Sequence, residues 1–212
     1  MKKPPKREAL SRDRILGAAL SIVDREGLEA ISMRRLGDEL GVEAMSLYNH
    51  VANKAAILDG IFESVLAELA PTRRTQHWPQ DVRQRARALR QVLLSHPNVL
   101  PLFATRPAVT PASIAHVEAA LDVLRRAGFT ATHALSALQV TVAFVVGHTI
   151  ATHGPLRADD HVVVHYERLS ESEFPRVREM AKQLGRHDVE AEFEFGIDLL
   201  IAGLKAHLAL AP

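Results

Sequence analysis

The sequence contains no cysteine, few aromatic residues and almost no net charge. Without cysteine the chain can form neither disulfides nor cysteine-ligated zinc sites, which is typical of proteins in a reducing cytoplasm. No HExxH motif, glycine-rich phosphate loop or GxSxG elbow occurs, so the common signals of metallopeptidases, nucleotide-binding enzymes and serine hydrolases are missing. No apolar segment follows the polar first residues, so we expect no signal peptide and a cytoplasmic location.

The residues that are present favour helices. Apolar residues make up 47% of the 212 residues and aromatic residues 5%, and alanine and leucine dominate. No alternating pattern that would build a sheet occurs. The longest apolar stretch, 134–151, is interrupted by polar residues, and we interpret it as a buried helix rather than a membrane span. The sequence therefore predicts an all-α globular protein that does not enter a membrane.

The stretch 32–54 has the pattern of two short helices joined by a glycine turn. Ser32 can cap the first helix, and Gly41 follows it where the chain must turn through positive φ. Leu47 and Tyr48 are expected to give the second helix its buried side. In a helix-turn-helix motif the second helix enters the DNA major groove, so the pattern predicts sequence-specific DNA binding. An ordinary helical hairpin is the alternative.

Residues 11–69 resemble the DNA-binding domain of the tetracycline-repressor (TetR) family. The matching segments are RDRILGAALSIVDREGLEAIS, MRRLGDELGV and SLYNHVANKAAILDGI, of which the LYxHVxNK string is the most specific. The later segments SHPNVLPLFATRP, LRRAGFTATHALSALQ and AEFEFGIDLLIAGLKAHL resemble the regulatory domain of the tetracycline repressors themselves. The resemblance implies about ten helices, an Ω-shaped homodimer and one small-molecule pocket per protomer.

Two domains are expected, a helix-turn-helix domain over 1–70 and a regulatory, dimerisation domain over 71–212. The first begins with a basic arm, 1–14, which carries six cationic and two acidic side chains. Such an arm can lie along DNA phosphates, although a solvated tail is equally consistent with its composition. The second begins with a linker over 71–80, which contains two prolines.

The regulatory half contains two helices whose apolar surfaces are wide, predicted over 130–153 and 188–210. A helix that is apolar on most sides must be buried on most sides, and pairing with a second copy would bury both helices in a four-helix interface. A monomer in which both helices are central is the alternative. The remaining predicted elements are helices over 81–95, 111–126 and 173–184, a short segment over 99–104 and a surface loop over 156–172.

Residues of the second helix and the turn after it are candidates for facing DNA. Small or apolar side chains such as Ala44 and Met45 can contact thymine methyl groups, and Ser46 can reach a phosphate or a base edge. The candidate DNA-binding residues are Ser32, Arg34, Ala44, Met45, Ser46, Tyr48, Asn49, His50 and Lys54.

The family resemblance adds roles to some of these residues. It implies that Tyr48, His50 and Lys54 contact phosphates. It also implies that Arg34 reads a base, and bidentate contact to guanine suits an arginine. We interpret the neighbouring Arg35 as a solvated charge.

The sequence departs from the tetracycline repressors where they hold a magnesium–drug chelate. Leu102 replaces a magnesium-ligating histidine, and Arg85 replaces the asparagine that grips the drug, whereas Thr105 is retained. By the same resemblance, Ala70 stands where the family has a second histidine, and Ala120 stands where it has a glutamine. Leu89 stands where it has an aromatic residue. An apolar pocket with few polar groups is therefore expected, although each apolar residue could equally be plain core. The candidate ligand-binding residues are Arg85, Leu89, Leu102, Phe103, Thr105, Leu138, Gln139 and Val142.

Together these features predict a ligand-responsive transcriptional repressor. It would bind a palindromic DNA operator as a homodimer and be released by a small hydrophobic effector. We expect no enzymatic activity, metal or cofactor. One rival is a DNA-binding protein whose second half serves dimerisation only. Another is a helical metal-binding protein or enzyme that uses some of the eleven histidines, among them His161 and His165, four residues apart.

Overall fold

The computed structural model describes residues 9–69, 75, 77–153, 165–184 and 188–210. These residues form ten α-helices and no strand, which confirms the predicted all-α class. The helices are α1 (Arg12–Glu26), α2 (Met33–Leu40), α3 (Ala44–Leu47), α4 (Lys54–Ala67), α5 (Trp78–Ser95), α6 (Leu100–Thr105), α7 (Pro111–Arg126), α8 (Ala131–His153), α9 (Pro175–Leu184) and α10 (Val189–Leu210). Single 3₁₀ turns occur at Leu28–Ala30, Pro97–Val99 and Tyr166–Arg168.

The predicted boundaries differ from the observed ones mainly where proline occurs. Helix α5 begins at Trp78, inside the predicted linker 71–80, because Pro79 occupies the first turn, where its missing N–H costs no helical hydrogen bond. The predicted domain boundary at residue 70 and most of the 156–172 loop lie outside the described residues.

Helices α1 to α4 share one apolar core. Asn53 caps α4 by accepting a hydrogen bond from the backbone N–H of Ala56 at 2.9 Å. Helix α4 crosses α1 closely at Gly60, where an added Cβ would lie 2.3 Å from a methyl group of Leu16. Helix α4 thus packs in the N-terminal half, and it also contacts α5, α6 and α7.

Helices α5, α7, α8 and α10 surround a second core. Ion pairs join α5 to α10: Arg87 lies 2.6 Å from Glu194, and Arg90 lies 2.6 Å from Glu190. The guanidinium of Arg90 is buried over the ring of Phe193, 4.7 Å from its centroid. These contacts hold α10 against the regulatory half of the same protomer.

Contacts between α4 and α6 are among those that join the two halves. The rings of Phe62 and Phe103 stack with centroids 4.3 Å apart. Arg106, which follows α6, donates to Oδ1 of Asp59 on α4 at 2.6 Å. The halves are therefore joined by both apolar and ionic contacts.

Helices α8 and α10 expose apolar side chains on the single protomer. Phe195 and Leu199 on α10 are 63% and 57% exposed, and Leu135 and Val140 on α8 are also exposed. Within one protomer these parts of α8 and α10 are therefore left uncovered. Among the described helices α8 passes a length and composition test for a membrane span, with a mean hydropathy of 1.6, but central helices of water-soluble proteins pass it too.

Candidate functional site

The helix-turn-helix is fixed by local contacts that the sequence signals. Ser32 Oγ accepts a hydrogen bond from the Arg35 N–H at 3.1 Å and so caps α2. Gly41 ends α2 in the left-handed region, with φ 65° and ψ 40°, a conformation that glycine adopts without strain. Gly37 packs so closely against the turn and the start of α3 that an added Cβ would lie 2.8 Å from the carbonyl oxygen of Val42 and 3.2 Å from the backbone nitrogen of Ala44. Backbone contact therefore limits how closely α2 and α3 can approach.

Helix α3 is a single turn whose four residues differ in exposure. Leu47 is fully buried and anchors α3 to the first core, whereas Met45 is 76% exposed. Tyr48 is 48% exposed, so its predicted place on the buried side of the helix is wrong. The chain turns after Leu47, and Val51 provides the next buried contact. Asn49 and His50 are exposed, and Ala44 and Ser46 are half-buried.

Two adjacent arginines on α2 have different environments. Arg35 lies 2.6 Å from Glu26 and 2.8 Å from Glu39, so the prediction of a solvated charge is wrong. The hydrogen bonds to Glu26 and Glu39 raise the pKa of Arg35 further, and those from Arg35 lower the pKa of each glutamate. Arg34 is exposed and makes no ion pair with the described residues, which leaves its guanidinium accessible.

Two further cations near the helix-turn-helix, Lys54 and Arg12, have different surroundings. Lys54 is exposed at the first position of α4, where backbone N–H groups also point outward. Arg12, counted in the basic arm, instead lies 3.1 Å from Glu63 on α4. The arm's cations at positions 2, 3, 6 and 7 lie outside the described residues.

A cavity of about 970 Å³ occupies the regulatory half. It is bounded by α4 to α8, and its walls are mostly apolar. Seven predicted ligand-binding residues line it: Arg85, Leu89, Phe103, Thr105, Leu138, Gln139 and Val142. The Thr105 hydroxyl donates to the Pro101 carbonyl oxygen at 2.8 Å. Its oxygen can still accept a hydrogen bond from a ligand.

Leu102 is a correction to the predicted site. It does not line the cavity but is buried in the core of the N-terminal half. Successive residues on a helix point about 100° apart, so Phe103 lines the cavity while the neighbouring Leu102 packs in the first core. The family resemblance identified position 102, but it could not identify the direction of the side chain there.

Several lining residues were missed from the sequence. His116 on α7 and Arg106 contribute polar groups, and Phe62 and Leu66 bring α4 to the wall. The spacing of His116, Ala119, Ala120 and Val123 on α7 is that of one helix face, a signal that could have identified them. The described lining contains arginine and histidine but no carboxylate.

Among the described histidines, His133 and His207 are in contact, with ring nitrogens 3.0 Å apart. Within the described residues no three potential metal ligands come together, and His161 of the predicted pair lies outside them. His165 lies 2.9 Å from Glu167. The described part of the chain thus offers the metal-binding hypothesis no supporting cluster.

Known proteins resemble this chain over nearly its whole length. Residues 15–61 match the family described as bacterial regulatory proteins, tetR family, and residues 70–208 match the tetracyclin repressor-like C-terminal domain. An HTH-type transcriptional regulator of Saccharopolyspora erythraea is 31% identical over 95% of this chain and 87% of its own length. The class E tetracycline repressor of Escherichia coli is 31% identical over 94% and 92%, respectively.

A solved structure agrees in fold as well as sequence. ActR of Streptomyces coelicolor without ligand gives a TM-score of 0.84 at 31% identity, over 96% of this chain and 98% of ActR. ActR has also been solved in complex with actinorhodin, with a TM-score of 0.82. The helix-turn-helix and the helical second half define the chain as a bacterial transcriptional regulator. It belongs to the TetR family.

Proposed function

We propose that this chain is a ligand-responsive repressor of the cytoplasm that binds a palindromic operator as a homodimer and is released by a small hydrophobic effector. The observation that carries the proposal is the placement of α4. Its first residue, Lys54, lies on the exposed helix-turn-helix surface, and Phe62 and Leu66 near its other end line the cavity. A ligand that displaces the cavity end of α4 therefore acts on the same rigid element that borders DNA.

Base reading is assigned to the exposed face of α2 and α3. Arg34 is accessible for bidentate contact to guanine, and Met45 is exposed for contact with thymine methyl groups. Tyr48, His50 and Lys54 surround this face and are assigned to phosphates. Ser32, Ala44, Ser46 and Asn49 complete the proposed DNA-binding set.

The adjacent arginines provide a matched test of DNA reading. A duplex is first selected from a random pool, and fluorescence anisotropy then measures its affinity at one salt concentration. Arg34→Ala is expected to cost roughly 1–3 kcal/mol and to relax preference at one base pair in each half-site. Arg35→Ala removes an equal charge that is engaged within the protein, so base preference should stay parental. Equal loss of base preference in the two variants would contradict the assignment.

A phosphate contact has a different signature. Lys54→Ala should weaken binding to selected and scrambled duplexes alike and reduce the salt slope by about one. A change in base preference without a change in salt slope would show that the lysine does not contact a phosphate.

Dimerisation is assigned to the apolar faces of α8 and α10. The exposed side chains of Phe195 and Leu199, four residues apart on α10, and of Val140 on α8 support this assignment, since exposed apolar surface marks an interaction site. A two-fold dimer would present two recognition helices to successive major grooves, which is why we propose a palindromic operator.

The effector is assigned from the lining of the cavity. Largely apolar walls suit a hydrophobic molecule, and the basic side chains of Arg85 and His116 in the lining suit an acidic group on it. A magnesium–tetracycline chelate is not the proposed ligand, because Leu102 has no metal ligand and points away from the cavity. Calorimetric titration with tetracycline plus magnesium, beside hydrophobic acids and their neutral analogues, tests both statements. Tight magnesium-dependent binding of tetracycline would overturn the assignment.

A further inference from the structure

His96 links the regulatory half to two helices of the DNA-binding half. It directly follows α5, and its Nδ1 lies 3.0 Å from both carboxylate oxygens of Asp24 on α1. Its Nε2 lies 3.0 Å from Oε2 of Glu68, the residue that follows α4. The His96 side chain is only 12% exposed. Asn98 donates to the backbone oxygens of Val23 and Asp24 at 3.1 and 3.0 Å, so the same end of α1 is held twice.

This geometry requires a particular protonation state. A carboxylate accepts hydrogen bonds, so each ring nitrogen of His96 must donate, and only the imidazolium carries two N–H groups. Burial lowers the pKa of His96, but hydrogen bonds and charge from Asp24 and Glu68 outweigh it and raise the pKa above its usual value. Among the described residues, the charged groups that face the ring are Asp24 from α1 and Glu68 beside α4.

We propose that His96 is a positioning residue that, when protonated, fixes the DNA-binding half against α5 and thereby makes operator affinity depend on pH. The proposal rests on the DNA binding argued above. Two recognition helices must be held at one separation to enter successive grooves, and freedom between the halves adds an ordering cost to binding.

The direction of the effect follows from the state that makes both contacts. As pH rises through the raised pKa of His96, one ring nitrogen loses its proton and its lone pair then faces a carboxylate. One of the two links is then lost. The stabilising contribution is fully present below the ordinary histidine pKa of about 6.5 and is lost as pH rises through the folded-state pKa. Affinity for the operator is therefore expected to fall with rising pH.

The test compares the parent with His96→Gln on a selected duplex. Anisotropy is measured from about pH 6 to about pH 9 at constant ionic strength, a range that brackets histidine titration. The parent should lose at least about five-fold in affinity, the lower end of typical coupling between sites. His96→Gln should bind more weakly at low pH and lack this loss. Groups that both proteins share, including those on the DNA surface, cancel in the comparison.

Two controls separate positioning from general charge effects. His77→Gln removes an exposed histidine before α5 and should keep the parental profile. A scrambled duplex reports phosphate attraction alone, and its affinity should not follow the titration of His96. An equal difference between the parent and His96→Gln on both duplexes would overturn the proposal, as would identical profiles for the two proteins.

A second variant keeps the test decisive if His96→Gln does not fold. Asp24→Asn retains the imidazole but removes one carboxylate, so the midpoint of the profile should move to lower pH. NMR titration of the His96 ring measures that midpoint without DNA and should place it above the ordinary histidine pKa of about 6.5. A His96 midpoint at or below about 6.5, or unmoved in Asp24→Asn, would overturn the proposal. Failure of every variant and the parent to bind any duplex would instead overturn the proposed function.

Discussion

The crossing of α2 and α3 leaves no space for a side chain at Gly37. An added Cβ would lie 2.8 Å from the carbonyl oxygen of Val42 and 3.2 Å from the backbone nitrogen of Ala44. Both neighbours are backbone atoms, so Gly37→Ala can be accommodated only if α3 moves away from α2. Because α3 carries the proposed DNA contacts, this change should impair DNA binding and stability together.

The size of the stability effect follows from two opposing contributions. Overpacking a well-packed site costs about 1–3 kcal/mol. Replacing a helical glycine by alanine stabilises the helix by about 1 kcal/mol. Gly37→Ala should therefore lower the free energy of unfolding by up to about 2 kcal/mol, as the difference of these contributions.

Gly17→Ala is the matched control. Gly17 lies inside α1, and an added Cβ there would have no atom within 4 Å. This variant should therefore gain about 1 kcal/mol and keep parental DNA affinity. Urea unfolding at fixed protein concentration measures stability, and anisotropy with a selected duplex measures binding. If Gly37→Ala matched Gly17→Ala in both assays, the argument that the backbone crossing fixes the recognition helix would be refuted.

Three further predictions concern the interface, the ion pairs and the cavity. Leu199→Asp places a charge on the exposed apolar face of α10 and should yield monomers by light scattering, whereas a dimer of parental stability would exclude this face. Arg35→Ala should lower the free energy of unfolding at neutral pH, and urea unfolding should show that the difference from the parent shrinks in acid. The reason is that Glu26 and Glu39 have lowered pKa values, so their ion pairs with Arg35 stabilise the fold above about pH 4 and are lost as pH falls. Arg85→Ala should weaken calorimetric binding of a hydrophobic acid more than that of its neutral analogue, and equal weakening would remove the proposed anion contact.

The helix-turn-helix could be predicted because its signals are local. Ser32 caps the helix that begins at the next residue, and Gly41 takes the left-handed conformation that its position requires. These interactions span a few residues, so sequence spacing specifies them. The apolar stretches of the second half likewise predicted its helices, and the predicted ends differ from the observed ones by a few residues.

The direction of individual side chains could not be predicted in the same way. Leu102 and Phe103 are equally apolar neighbours, yet one is buried against the N-terminal half and the other lines the cavity. Arg34 and Arg35 look interchangeable, but only Arg35 meets Glu26 and Glu39. These outcomes depend on how α6 and α2 are rotated against distant helices, which no local spacing encodes.

The central claim is that cavity occupancy and DNA binding oppose each other. The most direct measurement determines the affinity of a cavity ligand for the free protein and for the protein bound to its selected duplex. The ligand is identified by thermal shift from a panel of hydrophobic acids. By thermodynamic linkage, the ligand should weaken DNA binding by the same factor by which DNA weakens ligand binding, and we expect a factor of about five or more. A ligand that binds the free and DNA-bound protein equally tightly would contradict the account.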